Sequence, residues 1–326
     1  MPQPTPTTSR QAATGSLRVV GIASCPVCAG TLGHPCLIKR AEGRDYSLVR
    51  CDGCRLVFVA PPPTDEELRR YYDHLWHEGQ RPERTPEEVV DQQLREQRFR
   101  TRLRELSRLM APGRILDVGC RDGLFLTLAQ EAGWRACGVE LVSSAAEQAK
   151  QRGLEVRIGN LEEVGWPDGS FDVVTVWHLI EHLKSPLPFL QTIRRVLKPS
   201  GLLALETPNV EGRAFRRDRE QWEYLVPPQH LCYFGPRSLK VALERAGFRV
   251  VWQRVEGGTG VGLQLAKMGL RGTRVWLRQH YRYLKPLKSL YVALFGWIAS
   301  VDDILVMYAR PRNHPNTRPD TMMSSC

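Results

Sequence analysis

At 326 residues the chain is too short for three domains of ordinary size and long for one, so a single large core with appendages is expected. Hydrophobic residues make up 42% and charged residues 25%, the balance of a soluble globular protein rather than of a disordered one. The formal charge is +11, with ten Lys or Arg against three Asp from Val261 to Cys326. Such a balance suits nucleic acid, a phosphorylated substrate or an anionic membrane surface, and does not choose among them.

Residues 1–20 begin MPQPTPTTSRQAATGS, polar and rich in Pro and Thr, and read as a disordered tail. They carry no apolar run of the signal-peptide kind, so a cytoplasmic setting is expected. Residues 21–62 hold two close cysteine pairs, Cys25-x-x-Cys28 and Cys51-x-x-Cys54, separated by 22 residues. Each pair can place two thiolates on a tight knuckle, and two knuckles close a tetrahedral shell around Zn2+ with no open position, so the metal would be structural. Gly30 and Gly53 ease the knuckle turns, and the stretch LIKRAEGRDYSLVR between the pairs can form a short hairpin. His34 and Cys36 fit the ligand spacing less well. A zinc ribbon also suits RNA, but Gly21 to Ala60 has five basic residues against three acidic, with only Tyr46 and Phe58 as stacking platforms. That weighs against nucleic acid.

Residues 63–110 read as a helical linker or lid. Asp65 is a plausible cap, and Val90, Leu94, Leu103, Leu106 and Met110 recur at helical intervals from Glu87 to Met110. From 111 to 310 strands and helices alternate. RILDVG, RACGVEL, EVRIGN, FDVVTVW and LLALETP read as strands, PRSLKVALERAGF as a helix, and FRVVWQRVE and DILVMYARP as two last strands. This order predicts an α/β fold, a Rossmann-like parallel sheet with helices on both faces.

In such sheets ligands bind beyond the carboxyl ends of the strands. The first strand ends at Asp117, and the loop through Gly119, Cys120, Arg121 and Gly123 leads into a helix whose free N–H groups suit an anion. Glu140, at the end of the next strand, can accept hydrogen bonds from both hydroxyls of a ribose. The spacing is G-C-R-D-G rather than GxGxxG, which favours an adenosine ligand smaller than NAD.

Together ILDVGCRDG, GVEL, FDVVTVWHLIEHL and RRVLKPSGLLALETPN resemble the successive motifs of class I S-adenosylmethionine-dependent methyltransferases, over about residues 111–256. PPQHLCYFGPRSLKVALERAGF resembles the matching region of a bacterial subgroup with an N-terminal zinc-ribbon-like segment, whose members accompany glycan, lipid or secondary-metabolite pathways. The resemblance implies that Asp117, Gly119, Cys120, Arg121 and Gly123 line the methionine part of S-adenosyl-L-methionine. Glu140 would hold the ribose, Leu141, Asn160 and Leu161 would border the adenine, and Trp177 and His178 would flank the methyl donor. Arg121 departs from the pattern, since the family usually has Gly there. A side chain turned to solvent, or paired with the cofactor carboxylate, leaves binding intact, whereas one entering the pocket would leave a non-catalytic binding protein.

A base is needed only where the acceptor must lose a proton, and histidine suits that task. His230 in PPQHLCYFG leads, because the resemblance places the base of related C-methyltransferases in a similar His-x-x-Tyr-Phe setting, which brings in Tyr233. Glu181 and His182 in LIEHL could orient the acceptor. The expected reaction is O- or C-methylation of a small-molecule, sugar or lipid-linked acceptor. The alternatives are an RNA methyltransferase, although no (Asn/Asp)-Pro-Pro-Tyr motif is present, and a binding protein without activity. Between the last two strands, residues 258–300 form a basic insertion in which Lys267, Arg271, Arg274, Arg278, Arg282 and Lys285 share one helical sector. Its apolar run SLYVALFGWIAS is too short to span a bilayer. Peripheral contact of 263–300 with an anionic inner-membrane surface is compatible with it. Residues 311–326 read as a flexible tail.

Overall fold

The computed structural model describes residues 24–30, 32–71, 86–257 and 302–312. The basic insertion at 258–300 and the tail at 1–20 lie outside the described residues, as does the second tail beyond Arg312.

The cysteine-rich segment forms a hairpin and a third strand: β1 (Leu32–Ala41), β2 (Arg44–Cys51) and β3 (Val57–Val59). Glu42 and Gly43 turn the hairpin, both at positive φ (49° and 70°), as a two-residue turn matching strand twist requires. The left-handed residues of the knuckles are Ala29 (φ 55°) and Arg55 (φ 71°). Gly30 and Gly53 serve differently, because a Cβ on either would stand 3.1 Å or 3.4 Å from Cys28 Sγ. A helix starts at 65, and its cap is Thr64 rather than Asp65. Thr64 Oγ1 accepts from Glu67 N at 3.1 Å while Glu67 Oε2 accepts from Thr64 N at 2.7 Å, a reciprocal capping box. Asp65 pairs instead with Lys184 at 2.6 Å.

Helix α1 (Pro86–Leu109) runs where the apolar spacing places it. The sheet strands follow: β4 (Arg114–Val118), β5 (Arg135–Glu140), β6 (Glu155–Ile158), β7 (Phe171–Trp177) and β8 (Leu197–Pro208). Helices α2 (Leu124–Glu131), α3 (Ser143–Gln151) and α4 (Pro186–Val196) alternate with them. After α5 (Arg213–Asp218) and a short strand β9 (Cys232–Tyr233) come α6 (Pro236–Arg245), β10 (Phe248–Gly257) and β11 (Asp302–Pro311). The order of the seven-stranded sheet is β10-β11-β8-β7-β4-β5-β6. Strands β4 to β8 pair in parallel, while β11 runs antiparallel to both β8 and β10. Among the described residues no helix is long and apolar enough to cross a membrane.

Buried runs such as Val173, Val174, Val176 and Leu202 to Leu205 are apolar on both faces because both faces are covered. Leu103 and Leu106 of α1 pack with α2 and α3 on one side. On the other, Phe189, Leu190 and Ile193 of α4 and Leu239 and Leu243 of α6 share one cluster with Cys25, Cys51, Leu56 and Phe58. The chain winds from β4 outward to β6, then crosses to β7 and winds the other way. The reversal lies between β4 and β7, where ligands of doubly wound sheets sit.

Candidate functional site

The loop after β4 is shaped by two glycines and one strained arginine. Gly119 and Gly123 have φ of 78° and 81°, and a Cβ at Gly123 would meet Leu154 at 2.3 Å, so no other residue fits there. Arg121 takes φ 52°, a region that costs a non-glycine residue about 1–2 kcal/mol. Its side chain is exposed. Its backbone N–H donates to Glu140 Oε2 at 2.8 Å, and Val142 N donates to Glu140 Oε1 at 2.9 Å. Glu140 thus pins the loop to the end of β5, and each oxygen keeps a further lone pair. Cys120 is buried against Gly138, where an added Cβ would approach its sulfur to 2.5 Å.

Asp117 is buried and accepts from Thr175 Oγ1 at 2.7 Å. Burial raises its carboxyl to about 8. Helix α2 begins at Gly123 with no side-chain cap and no acidic residue in its first turn, so its leading amides suit an anion. Leu141 is 63% exposed, and Asn160 is exposed. Leu161 is 2% exposed and packed in the main core, so of the three only Leu141 and Asn160 present exposed side chains. Trp177 packs its indole on Phe125 and Phe99, with ring centroids 5.4 Å and 6.3 Å away.

Beyond the end of β7 stands a buried ionic network. His178 has φ 51°, strain of the kind that collects at functional sites. Its Nδ1 lies 3.2 Å from Glu181 Oε1 and its Nε2 3.0 Å from Glu206 Oε1. The two carboxylates overcome burial and raise His178 to about 9, so it is an imidazolium donating from both nitrogens. Arg98 Nη1 reaches Glu206 Oε1 at 3.2 Å, and the two cations share that oxygen. Arg102, 1% exposed, donates to Glu206 and Glu256. Glu181 also accepts from Thr207 Oγ1 at 2.9 Å. Burial opposes its charge, but His178 prevails and holds Glu181 down to about 2. Glu181 is therefore an orienting carboxylate rather than a base. Tyr224 stacks on His178, centroid to centroid 6.3 Å at 14°.

His230 is 7% exposed. Its Nδ1 lies 2.7 Å from the carbonyl oxygen of Tyr224. A carbonyl only accepts, so Nδ1 carries the proton and Nε2 carries the lone pair. Burial, the largest cause, lowers His230 to about 4, so it is neutral at pH 7. His182 meets it edge-on at 4.8 Å. Tyr233 is not placed for chemistry. Its hydroxyl is buried and donates to the His230 carbonyl at 3.0 Å, so it braces the histidine from behind. Sequence reasoning missed Arg98, Arg102, Glu206 and Tyr224; the aromatic run WEY before the His230 loop is the one available signal. Glu181, His182 and His230 bring ligand atoms within 4.8 Å of one another. Because His178 already balances Glu181, no uncompensated charge there calls for a cation.

In the cysteine-rich unit all four thiols converge. Cys25 Sγ lies 3.6 Å from Cys54 Sγ and Cys28 Sγ lies 3.4 Å from Cys51 Sγ, close to the edge of about 3.8 Å in a tetrahedron with Zn–S of about 2.3 Å. Val27 N and Gly30 N point at Cys25 Sγ and Cys28 Sγ at 3.5 Å and 3.4 Å. None of the four forms a disulfide. Cys36 is exposed and donates to the Leu48 carbonyl.

A family model described as a methyltransferase domain matches residues 91–253. The chain is 31% identical over 138 residues to a probable S-adenosylmethionine-dependent methyltransferase of Mycolicibacterium smegmatis, covering 42% of this chain and 52% of that one. It is 33% identical over 113 residues to a ubiquinone biosynthesis O-methyltransferase of Xanthomonas oryzae pv. oryzae, covering 32% and 47%. The chain thus spans about half the length of the curated relatives it matches. The solved structure of the cyclase SpnF aligns with a TM-score of 0.50 at 19% identity, over 77% of this chain and 98% of that one; it shares the fold.

Proposed function

The chain belongs to the class I S-adenosylmethionine-dependent methyltransferases, and from that premise we propose that it methylates a hydroxyl of a small-molecule, sugar or lipid-linked acceptor. The observation that carries this reading is the neutral His230, with Nδ1 committed to the Tyr224 carbonyl and Nε2 left to accept. A base near pKa 4 cannot strip a carbon acid beforehand. It can take the proton of a hydroxyl, which becomes strongly acidic as its oxygen gains a third bonding partner. Oxygen is also the acceptor named in the ubiquinone relatives.

When bound, S-adenosyl-L-methionine supplies a methyl on a sulfonium for in-line transfer, so the chain's part is orientation, exclusion of water and uptake of one proton. The residues present fit it. The uncapped amides of α2 suit its carboxylate, buried Asp117 its cationic end, and the spare lone pairs of Glu140 its ribose diol. Leu141 and Asn160 are left open to an adenine. Zn2+ is assigned as a structural ion to Cys25, Cys28, Cys51 and Cys54.

The test is transfer of labelled methyl into a cell extract, then partition into lipid, glycan, RNA and small-molecule fractions. Label in one fraction is expected, and its loss in Glu140→Ala. Two hydrogen bonds to a charged group at about 1.5–3 kcal/mol each imply at least a 100-fold loss of cofactor affinity. Saturable binding without labelled product would overturn the catalytic reading, and label in RNA the acceptor class.

A second expectation concerns protons. Burial holds Asp117 near 8, so at pH 7 it is mostly protonated, and a cation placed beside it draws the proton off. Cofactor binding at pH 7 should release close to one proton, with affinity rising up to tenfold per pH unit until pH 8 and flat above. Calorimetry in two buffers of unlike ionisation heat measures this; zero proton exchange would separate Asp117 from the cofactor.

A further inference from the structure

The cysteine-rich unit completes its sheet with a strand borrowed from the acceptor side of the site. The four-stranded sheet has the order β1-β2-β3-β9, and β9 begins two residues after His230. Val57 pairs with Tyr233 and Phe58 with Cys232. Leu231, between His230 and β9, is held from both sides. Its carbonyl accepts from Val59 N at 2.9 Å, and its N–H donates to the carbonyl of Glu181 at 2.8 Å. A continuous line of backbone hydrogen bonds therefore runs from the ribbon through the residue beside His230 to Glu181.

Side chains reinforce the line. Tyr233, whose hydroxyl braces His230, packs in one cluster with Tyr46, Leu48, Val57 and Val59 of the ribbon. Arg237 of α6 donates to the Gly53 carbonyl at 2.8 Å, and Arg245 donates to the Cys28 carbonyl at 3.1 Å. Each knuckle is thereby docked on the helix that follows the His230 loop. The donor loop is held by other groups, namely Val139, Glu140, Arg95 and Arg152.

We propose that the ribbon is the positioning device of the acceptor side: strand β3 sets Leu231, and with it His230 and Glu181, so that filling of the four-thiol centre governs methyl transfer while leaving cofactor binding alone. The physical reason is size. A unit of some forty residues has little core of its own beyond the face it packs on α4 and α6, and bound metal adds folding energy to the strands. When the metal leaves, β3 loses its partners on the ribbon side and releases β9. The role of His230 as base rests on the proposed function; the coupling of strand to loop does not.

Full-length protein stripped of metal with a chelator, with the zinc released quantified, is compared with the loaded protein by hydrogen exchange and by cofactor binding. Peptides over 44–59 and 229–234 should lose protection together, while those over 114–119 and 171–177 keep theirs. The Kd for S-adenosyl-L-methionine should stay within about twofold as kcat falls at least tenfold. Val59→Pro removes the N–H given to Leu231 but no thiol, so it should keep its zinc and still expose 229–234. Arg237→Ala, which unhooks one knuckle without touching a strand, serves if the proline variant does not fold. Retained protection over 229–234 in the stripped protein overturns the proposal, as does retention in the variant used. If chelation frees no zinc, the metal part falls. If His230→Ala keeps full turnover while the exchange result stands, the base assignment has failed and the coupling has not.

Discussion

Replacing Arg102 by methionine is expected to cost the fold about 3–5 kcal/mol, read as a lower urea midpoint at unchanged slope. Methionine fills most of the volume, so the loss is electrostatic. Arg102 Nε and Nη2 reach Glu206 Oε2 at 2.9 Å and 2.8 Å, and Nη1 and Nη2 reach Glu256 at 3.0 Å and 2.8 Å. Without the guanidinium the buried Glu206 is left with less than its share of cation, while the partly exposed Glu256 keeps Arg254, and removing one partner of a buried pair strands the other. Adding Glu206→Gln to Arg102→Met should return at least 1 kcal/mol, because the two residues act as one unit. A loss below 1 kcal/mol in the single variant would mean that water reaches the network. The same network has an alkaline edge. His178 titrates at about 9 in the fold against an ordinary 6.5. Its contribution is present in full below 6.5 and is lost as pH rises through 9. Melting temperature should therefore fall as pH rises from 6.5 to 9, and less so in His178→Gln.

The sheet was legible because its central strands β4, β7 and β8 carry runs of Val, Ile, Leu and Ala too apolar for anything but a doubly covered position. FDVVTVW matches β7 at both ends, and FRVVWQRVE and DILVMYARP are both strands, paired with each other across the insertion. The cysteine knuckles were legible from spacing alone. What escaped lacks periodicity or contradicts composition. Strand β9 has two residues, which no pattern can announce, yet it ties the ribbon to the His230 loop. Arg98 and Arg102 sit among so many charges in α1 that the sequence assigns them to solvent; only folding shows that α1 lays them across the ends of β8 and β10. Leu161 was expected at the adenine from the resemblance alone, but its apolar side chain belongs to the main core. Tyr233 carries a reactive group in the right neighbourhood, and nothing in the sequence says that its hydroxyl points back at a carbonyl. Arg121 is exposed and its backbone N–H is spent on Glu140, which the sequence does not announce.

His230→Ala should lower kcat by about 100- to 10,000-fold, the usual range for a lost general base, with the Kd for S-adenosyl-L-methionine unchanged. The pH dependence is the sharper test. Burial comes first among the causes that hold His230 at about 4, with His182 and His178 adding to it and Glu181 opposing. The neutral form is the working form, so the acid limb of kcat/KM should lie near pH 4 to 5 instead of 6.5. Wild-type enzyme should thus keep most of its activity at pH 5.5, where an ordinary histidine is about 90% protonated. Stability should follow the opposite partner of the linkage. The unfolded chain takes up a proton below 6.5 that the fold refuses until about 4, so stability present above 6.5 drains away as pH falls between those values. His230→Ala should lose less stability over that interval. An acid limb at 6.5 would point to an exposed histidine and remove His230 from the reaction. A limb near 4, absent from the alanine variant, would tie the proton to Nε2. Oxygen would then follow as the acceptor, since so weak a base is of use only when the proton it takes turns acidic during transfer.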